Sequence, residues 1–317
     1  MLRSSTLKIV LLIVLALPFA CAPASAQPPE KLPKKAGVRT VTIPISIFTK
    51  RELREGQLGE FVAADRLIVK EDGDEQEVLS IRSIAETPLS VAFLIQDNLA
   101  SEFNLELREI ANFIRSMPKG TRVMVAYGRG GTVQIVQKFT DNTEAAAATL
   151  HLVAPTISSQ DPYNAVEDIL GKFDALPAGR RALVLFSDGL DTSQGTSLSE
   201  TARTYDLEQA ITKAQKKSIA VYSVYAPSAA TQNNPSLATG GQAALDRLST
   251  ETGGRSLVQG SGAVSLIPYF KDLGLSLARQ FSLTYMSTHM KKGFHRVSVT
   301  SSNPDVRVEH PKGYYYR

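Results

Sequence analysis

The 317-residue chain carries 35 Lys and Arg against 31 Asp and Glu, a formal charge of +4, with 43% apolar residues and a single cysteine. So small a surplus, with no run of Lys or Arg interleaved with aromatics, excludes a basic nucleic-acid stripe. The length suffices for a sizeable buried core, and a chain with one thiol has to rely on that core rather than on disulfides.

Arg3 and Lys8 precede an unbroken apolar run, Ile9 to Ala20, and small residues follow from Ala22 to Ala26. This is the pattern of a secretory signal peptide, residues 1–26, with cleavage expected after Ala26 and a new start at Gln27. The apolar run has 12 residues, whereas a membrane span needs about 20. An uncleaved anchor is one alternative. A lipidated Cys21 is another, and Pro18 stands against it three residues before. Cleavage removes the cysteine, Arg3 and Lys8 and no acid, which lowers the charge from +4 to +2. The expected product is exported, periplasmic or secreted, with no stable membrane span.

Residues 27–37, QPPEKLPKKAG, hold three prolines and four charged side chains and read as a flexible linker. From Val38 to Phe48 apolar side chains alternate as in a strand, and Pro44 marks it as an edge strand. Arg66 to Lys70 and Glu77 to Ile81 flank the turn signal Glu71-Asp72-Gly73-Asp74, which predicts a β-hairpin. These make an N-terminal β segment, residues 38–87.

Over residues 88–280 short apolar runs alternate with amphipathic segments, which argues a parallel sheet with covering helices. The expected buried strands are Leu89 to Ile95, Arg122 to Tyr127, Ala182 to Phe186 and Ile219 to Tyr225, with Val133 to Phe139 as an antiparallel edge. Spacing near 3.6 predicts helices over Glu102 to Ser116, Asn142 to Leu150, Tyr163 to Leu176, Tyr205 to Lys216, Ala243 to Glu251 and Val264 to Arg279. Thr231 to Gln242, rich in Gly, Asn, Ser and Pro, reads as an exposed loop. In residues 281–317 alternation returns at Phe281 to Met286, Arg296 to Thr300 and Val306 to Glu309, between turns at Lys291-Lys292-Gly293 and Asn303-Pro304-Asp305. Short β segments cannot bury a face alone, so the two flanks are expected to pair into one small sheet.

Chemistry concentrates where two apolar strands end in carboxylates. Leu89 to Gln96 runs into Asp97, with Ser101 four residues on. Ala182 to Phe186 runs into Ser187-Asp188-Gly189. Open α/β sheets build their sites at such carboxyl ends, and two carboxylates there can approach one cation.

In these motifs the chain resembles the von Willebrand factor A family, whose first strand ends in Asp-x-Ser-x-Ser and whose fourth ends in Thr/Ser-Asp-Gly. Here the counterparts are Asp97-Asn98-Leu99-Ala100-Ser101 and Ser187-Asp188-Gly189. The flanks are similar to a bacterial subgroup described from acidobacteria, with an E-D-G-x-x-Q hairpin (Glu71 to Gln76), a T-G-G-R (Thr252 to Arg255) and a closing G-Y (Gly313-Tyr314), so the resemblance spans roughly residues 38–317. It implies a doubly wound, mostly parallel, Rossmann-like sheet with helices on both faces, flanked by the small β sheet.

The resemblance also implies a site for a Mg²⁺-like cation, held by oxygens from three loops and left open to an acidic group of a partner. Asp97, Ser101 and Asp188 match its ligands. Leu99 stands where the middle serine belongs and has no donor, and anchoring on Tyr163 puts Gln160 at the threonine. The site is thus a degenerate one, at which Mg²⁺ binds weakly or not at all. Its alternative is structural, with Asp97 and Asp188 accepting backbone hydrogen bonds at helix N-termini or turns.

Other candidates are weaker. Gly128-Arg129-Gly130-Gly131 lacks the Lys-Ser/Thr and helix of a phosphate loop and reads as a hairpin turn. The four histidines are scattered, and no Ser sits in a nucleophile elbow. Tyr314 to Tyr316 read as a terminal strand with one ring buried. The expected function is a non-enzymatic protein-binding module for adhesion or interaction in the bacterial envelope, with no nucleic-acid partner. The alternative is a metal-independent envelope scaffold or assembly factor that uses the flanking sheet and the loop around Asn233. An exported hydrolase built on the two carboxylates comes last.

Overall fold

Alternate residues of the apolar strands face opposite ways, and both faces are covered. In the computed structural model, which describes residues 37–49, 67–82, 88–155, 159–177, 179–193, 204–258 and 265–316, a six-stranded sheet holds β4 (Leu89–Gln96), β5 (Arg122–Arg129), β6 (Thr132–Thr140), β7 (Arg180–Ser187), β8 (Ala220–Tyr225) and β9 (Ser256–Leu257). Their order is β6-β5-β4-β7-β8-β9, parallel throughout except for β6. The expected signal peptide and nearly all of the linker lie outside the described residues.

Val91, Phe93 and Ile95 pack with α1 (Leu107–Arg115), α2 (Thr143–Ala147) and α7 (Ile267–Ala278). Ala92 and Leu94 pack with α3 (Pro162–Lys172), α4 (Tyr205–Lys217) and α6 (Pro235–Thr252). Phe93 and Phe186, both 0% exposed, each contribute about 1.5–3 kcal/mol of transfer free energy. A 3-10 turn, Ser101–Glu106, leads into α1, and a short α5 (Ala229–Gln232) precedes α6. No helix of the described residues is long and apolar enough to cross a membrane.

The flanking sheet is larger than expected. It contains seven strands in the order β12-β1-β10-β3-β2-β11-β13, namely β1 (Arg39–Thr49), β2 (Leu67–Glu71), β3 (Asp74–Arg82), β10 (Gln280–Ser287), β11 (Gly293–Ser301), β12 (Val306–Glu309) and β13 (Gly313–Tyr316). All pairings are antiparallel. β12 and β13 stand at opposite ends, yet His310 between them accepts from Val299 N–H of β11 at 3.2 Å, so the sheet curls back on itself. Val41, Ile43, Leu283, Val297 and Val299 fill its core.

The motif residues of the flanks knit this sheet together. Asp72 and Gly73 form the hairpin turn with φ of 51° and 101°, the positive values that an Asp-Gly turn supplies. Glu71 is 0% exposed and accepts from the Tyr314 hydroxyl at 2.5 Å. Gln76 Oε1 accepts from Thr288 N–H at 3.0 Å. Arg255 binds Glu309 of β12 at 2.9 Å, and buried Arg180 at the start of β7 donates to Gln280 O. Burial lowers its guanidinium to about 10. Both sheets belong to one compact unit, Gly37–Arg317.

Two local expectations need correction, and one strand was not expected. β1 is an interior strand, not an edge, although β12 reaches only as far as Ser46. Pro44 therefore stands where β1 has a strand on one side only, and Ser218 Oγ takes the Thr42 carbonyl there at 2.8 Å. Thr231 to Gln242 is mostly helix, because Asn234 caps the first turn through Ser236 and Leu237 N–H and Pro235 occupies N1, where its missing donor costs nothing. The loop around Asn233 invoked by the scaffold reading is thus reduced to the short link Asn233-Asn234 between α5 and α6. The two-residue β9, beside β8, had no strand signal of its own.

Candidate functional site

From β4 the chain moves first to β5 on one side and later to β7 on the other, so the crevice at the carboxyl ends of β4 and β7 is the switch point of the sheet. Asp97 and Asp188 leave those two ends, and Gln96, the last residue of β4, joins them. Its Nε2 donates to Asp188 Oδ1 at 3.1 Å and to Asn98 Oδ1 at 2.6 Å, while its Oε1 accepts from Ser187 Oγ.

Asp188 is 2% exposed and also accepts Leu190 N–H at 3.0 Å. Burial pushes its carboxyl up, against the pull of the Ser228, Leu190 and Gln96 donors. Around the following turn two facing positions permit no side chain, one in the turn and one in α6. Gly189 has φ +73°, and a Cβ there would lie 2.3 Å from Gly241 O, while a Cβ on Gly241 would lie 2.0 Å from Asp188 O. α6 therefore seats its backbone directly on the Asp188 loop. Buried Tyr163 of α3 fixes the same loop by donating to Gly189 O at 2.6 Å.

Asp97 is 7% exposed. Its backbone is held on both sides, by Gly128 O at 3.0 Å and Ala154 N–H at 3.2 Å. One carboxylate oxygen, Oδ2, pairs with Arg129 Nε at the end of β5. The other, Oδ1, is buried and has no hydrogen-bond partner among the described residues. The Arg129 side chain remains 74% exposed, so a guanidinium attached to Asp97 faces solvent at the crevice.

The other expected ligands are spent differently. Leu99 is 0% exposed in the core and forms a β-bridge with Ser228, so its side chain points away from the crevice. Ser101 opens the 3-10 turn, exposed, with its hydroxyl 3.5 Å from Glu102 Oε2. Gln160 is 4% exposed; its Oε1 accepts Gly130 N–H at 3.2 Å and its backbone N–H donates to Thr192 Oγ1 at 2.8 Å. It stitches the β5–β6 turn to the loop after β7. The structure thus ties Asp188 to Gln96, the residue before Asp97, and brings Gln160 to Gly130, the neighbour of Arg129. It shows no contact of Ser101 with any of them. As placed, the open oxygen Asp97 Oδ1 lies beside a competing guanidinium, Ser101 touches none of the other groups, and Leu99 has no donor, so they do not fit a Mg²⁺ shell.

Beside Gln160, the carboxylates of Asp161, Asp191 and Asp206 offer oxygens within 4.8 Å of one another. Asp161 caps α3 through Asn164 N–H at 2.9 Å. Burial first, then Asp191 and Asp206, raise its carboxyl to about 6. A second group with three ligand atoms within the same distance, Asp72, His289 and His295, lies in the flanking sheet. Among the described residues, ligand-type side chains therefore gather at two places other than Asp97.

Sequence reasoning missed Gln96, Asn98, Ser228 and above all Arg129. The signal for Arg129 was present: it follows an apolar strand that neighbours β4, so it emerges at the same carboxyl edge as Asp97.

No protein-family model matches the chain, and no curated protein matches it by sequence. Among solved structures it is similar to an aerotolerance-related membrane protein from Bacteroides fragilis, at 14% identity over 60% of this chain and 98% of that one, with a TM-score of 0.43. It is similar to the vWF domain of the type V pili tip protein Mfa5 from Porphyromonas gingivalis, at 11% identity over 60% and 94%, TM-score 0.42. It is likewise similar to the SpRpn10 VWA domain, at 9% over 58% and 93%, TM-score 0.39.

Proposed function

We propose that the α/β domain is a von Willebrand factor A-type protein-binding module of an exported bacterial envelope protein, without enzymatic activity, and that its binding edge works without Mg²⁺. The observation that carries this reading is the Arg129–Asp97 ion pair at the switch point, with the guanidinium largely exposed. A planar guanidinium fixed by one carboxylate still has donors for a second. Arg129 then offers an acidic group of a protein partner the positive charge that the resembling family takes from its cation. Leu99 supports the same reading, since it lies in the core and has no donor for a metal, and so does Gln160, whose Oε1 already accepts Gly130 N–H.

The test pairs capture of an envelope protein partner by cross-linking with thermal melting. Capture is expected to survive EDTA and to be lost in Arg129→Glu with the fold intact. Melting is expected to be unmoved by millimolar Mg²⁺, because only a cation held by the folded state raises the transition. EDTA-sensitive capture together with a Mg²⁺-dependent transition that disappears in Asp97→Ala would return the edge to the cation-binding reading.

A further inference from the structure

β10 and β11 are consecutive in sequence but separated in the sheet by β3 and β2, so Thr288 to Lys292 must cross the tip of the β2–β3 hairpin. The crossing brings His289 to the turn residue Asp72, and β11 brings His295 to it from the side. The His295 ring fixes the electronic demand. Its Nε2 lies 2.6 Å from Lys291 O, and a carbonyl only accepts, so Nε2 carries the hydrogen. Nδ1 faces Asp72 Oδ2 at 2.7 Å and Glu71 Oε1 at 3.3 Å, both of which also only accept. In a neutral ring a bare nitrogen lone pair would point at two carboxylates. A positive centre has to stand there, a proton or a metal ion.

We propose that the hairpin tip is a binding site for a divalent transition metal of the zinc class, with Asp72 Oδ2, His295 Nδ1 and His289 as its ligands. His289 Nδ1 lies 4.0 Å from the same Asp72 oxygen. Its Nε2, buried and without a hydrogen bond among the described residues, lies 3.3 Å from Asp74 Oδ2. Two imidazoles with a carboxylate suit zinc rather than Mg²⁺ or Ca²⁺. The Nε2–H held by Lys291 O is the outer contact that orients a metal-ligating histidine. Charge agrees: Glu71, Asp72 and Asp74 converge here, and Arg39 pairs with the first of them at 3.6 Å. Glu71 Oε2 is buried with no partner among the described residues. His295 is 4% exposed while His289 is 23% and Asp72 38% exposed at their side chains, which seats one ligand deep and leaves an entry. Bound there, the metal staples the hairpin, the crossing loop and β11 in a fold that no disulfide secures.

The experiment titrates the metal-free full chain with Zn²⁺, read by melting temperature, and with Co²⁺, read by the visible absorption of its low-coordinate complex. One equivalent is expected to bind, with a higher transition, undiminished by millimolar Mg²⁺. His289→Ala removes a ring from a loop and is expected to weaken Zn²⁺ binding about tenfold or more. Asp72→Asn, which keeps the turn, serves the same purpose should the first variant fail to fold. No zinc-dependent shift, or a titration unchanged in both variants, overturns the site. Loss of the titration in Asp97→Ala also overturns it and places the ion at the sheet edge, against the metal-free edge as well, whereas the first two failures leave the edge reading untouched.

Discussion

At Asp161 one side chain sets a pH dependence. Its carboxyl is raised to about 6 in the folded chain, by burial and then by Asp191 and Asp206, whereas the unfolded chain ionises near the ordinary value of about 3.9. Between those values the folded state holds more protons than the unfolded state, so stability falls as pH rises from about 4 to about 6 and levels off above. Asp161→Asn keeps the cap and removes the charge. Urea unfolding across that range is expected to show a decline in the wild-type chain that is much reduced in the variant; equal slopes would refute it. Residues such as Asp97 and Asp188 were legible in the sequence because an apolar run ending in a carboxylate declares both a strand and its exit. Arg129 and Gln96 were not, because their roles depend on which strands become neighbours, and strand order is a tertiary fact.

At the scale of elements, helices of even apolar spacing and strands bounded by turns were read nearly in place, whereas α6 was read half as loop. Its first turns, Pro235 to Gly241, are poor in apolar residues because they lie over the Asp188 loop, where small size and not hydrophobicity is required. Composition reported the close approach as an exposed loop. The contact makes a test: Gly241→Ala places a methyl 2.0 Å from Asp188 O, and is expected to cost about 1–3 kcal/mol. Chemical denaturation checks this, and a cost below a few tenths would mean that α6 stands off the loop. The E-D-G-x-x-Q, T-G-G-R and G-Y motifs were legible as a resemblance, but their physical work was not. Glu71 meets Tyr314, and Arg255 meets Glu309, only once the flanking sheet exists.

At the scale of the molecule, the two sheets depend on each other through β10. It lies between β1 and β3, and its first residue, Gln280, supplies the carbonyl that holds the buried Arg180 side chain of the other sheet. A chain ending at Arg279 would leave that cation without this acceptor and split the seven-stranded sheet. It is expected to lose the single cooperative transition and to bind a hydrophobic dye, whereas a sharp transition like that of the full chain would show the α/β part to be self-sufficient. Pairing of the two flanks was anticipated from their need to bury a face. The order of the sheet's strands was not, because β1, the hairpin and the last strands each show their alternation locally, whereas which of them become neighbours is decided only in the pairing.

The position of β10 also sets an order in time. Arg39 hydrogen-bonds His289 across 250 positions, and each strand of the N-terminal flank finds part of its pairing in residues beyond 280. Contacts so distant in sequence form late and slowly. Until β10 and β11 emerge, β1 and the hairpin carry bare pairing edges, the feature that invites a passing strand from another chain. The α/β part between them meanwhile begins to gather its shorter-range contacts, although buried Arg180 still waits for the Gln280 carbonyl. Its folding draws the two flanks toward one another, and this shortens the interval during which the early strands stand exposed.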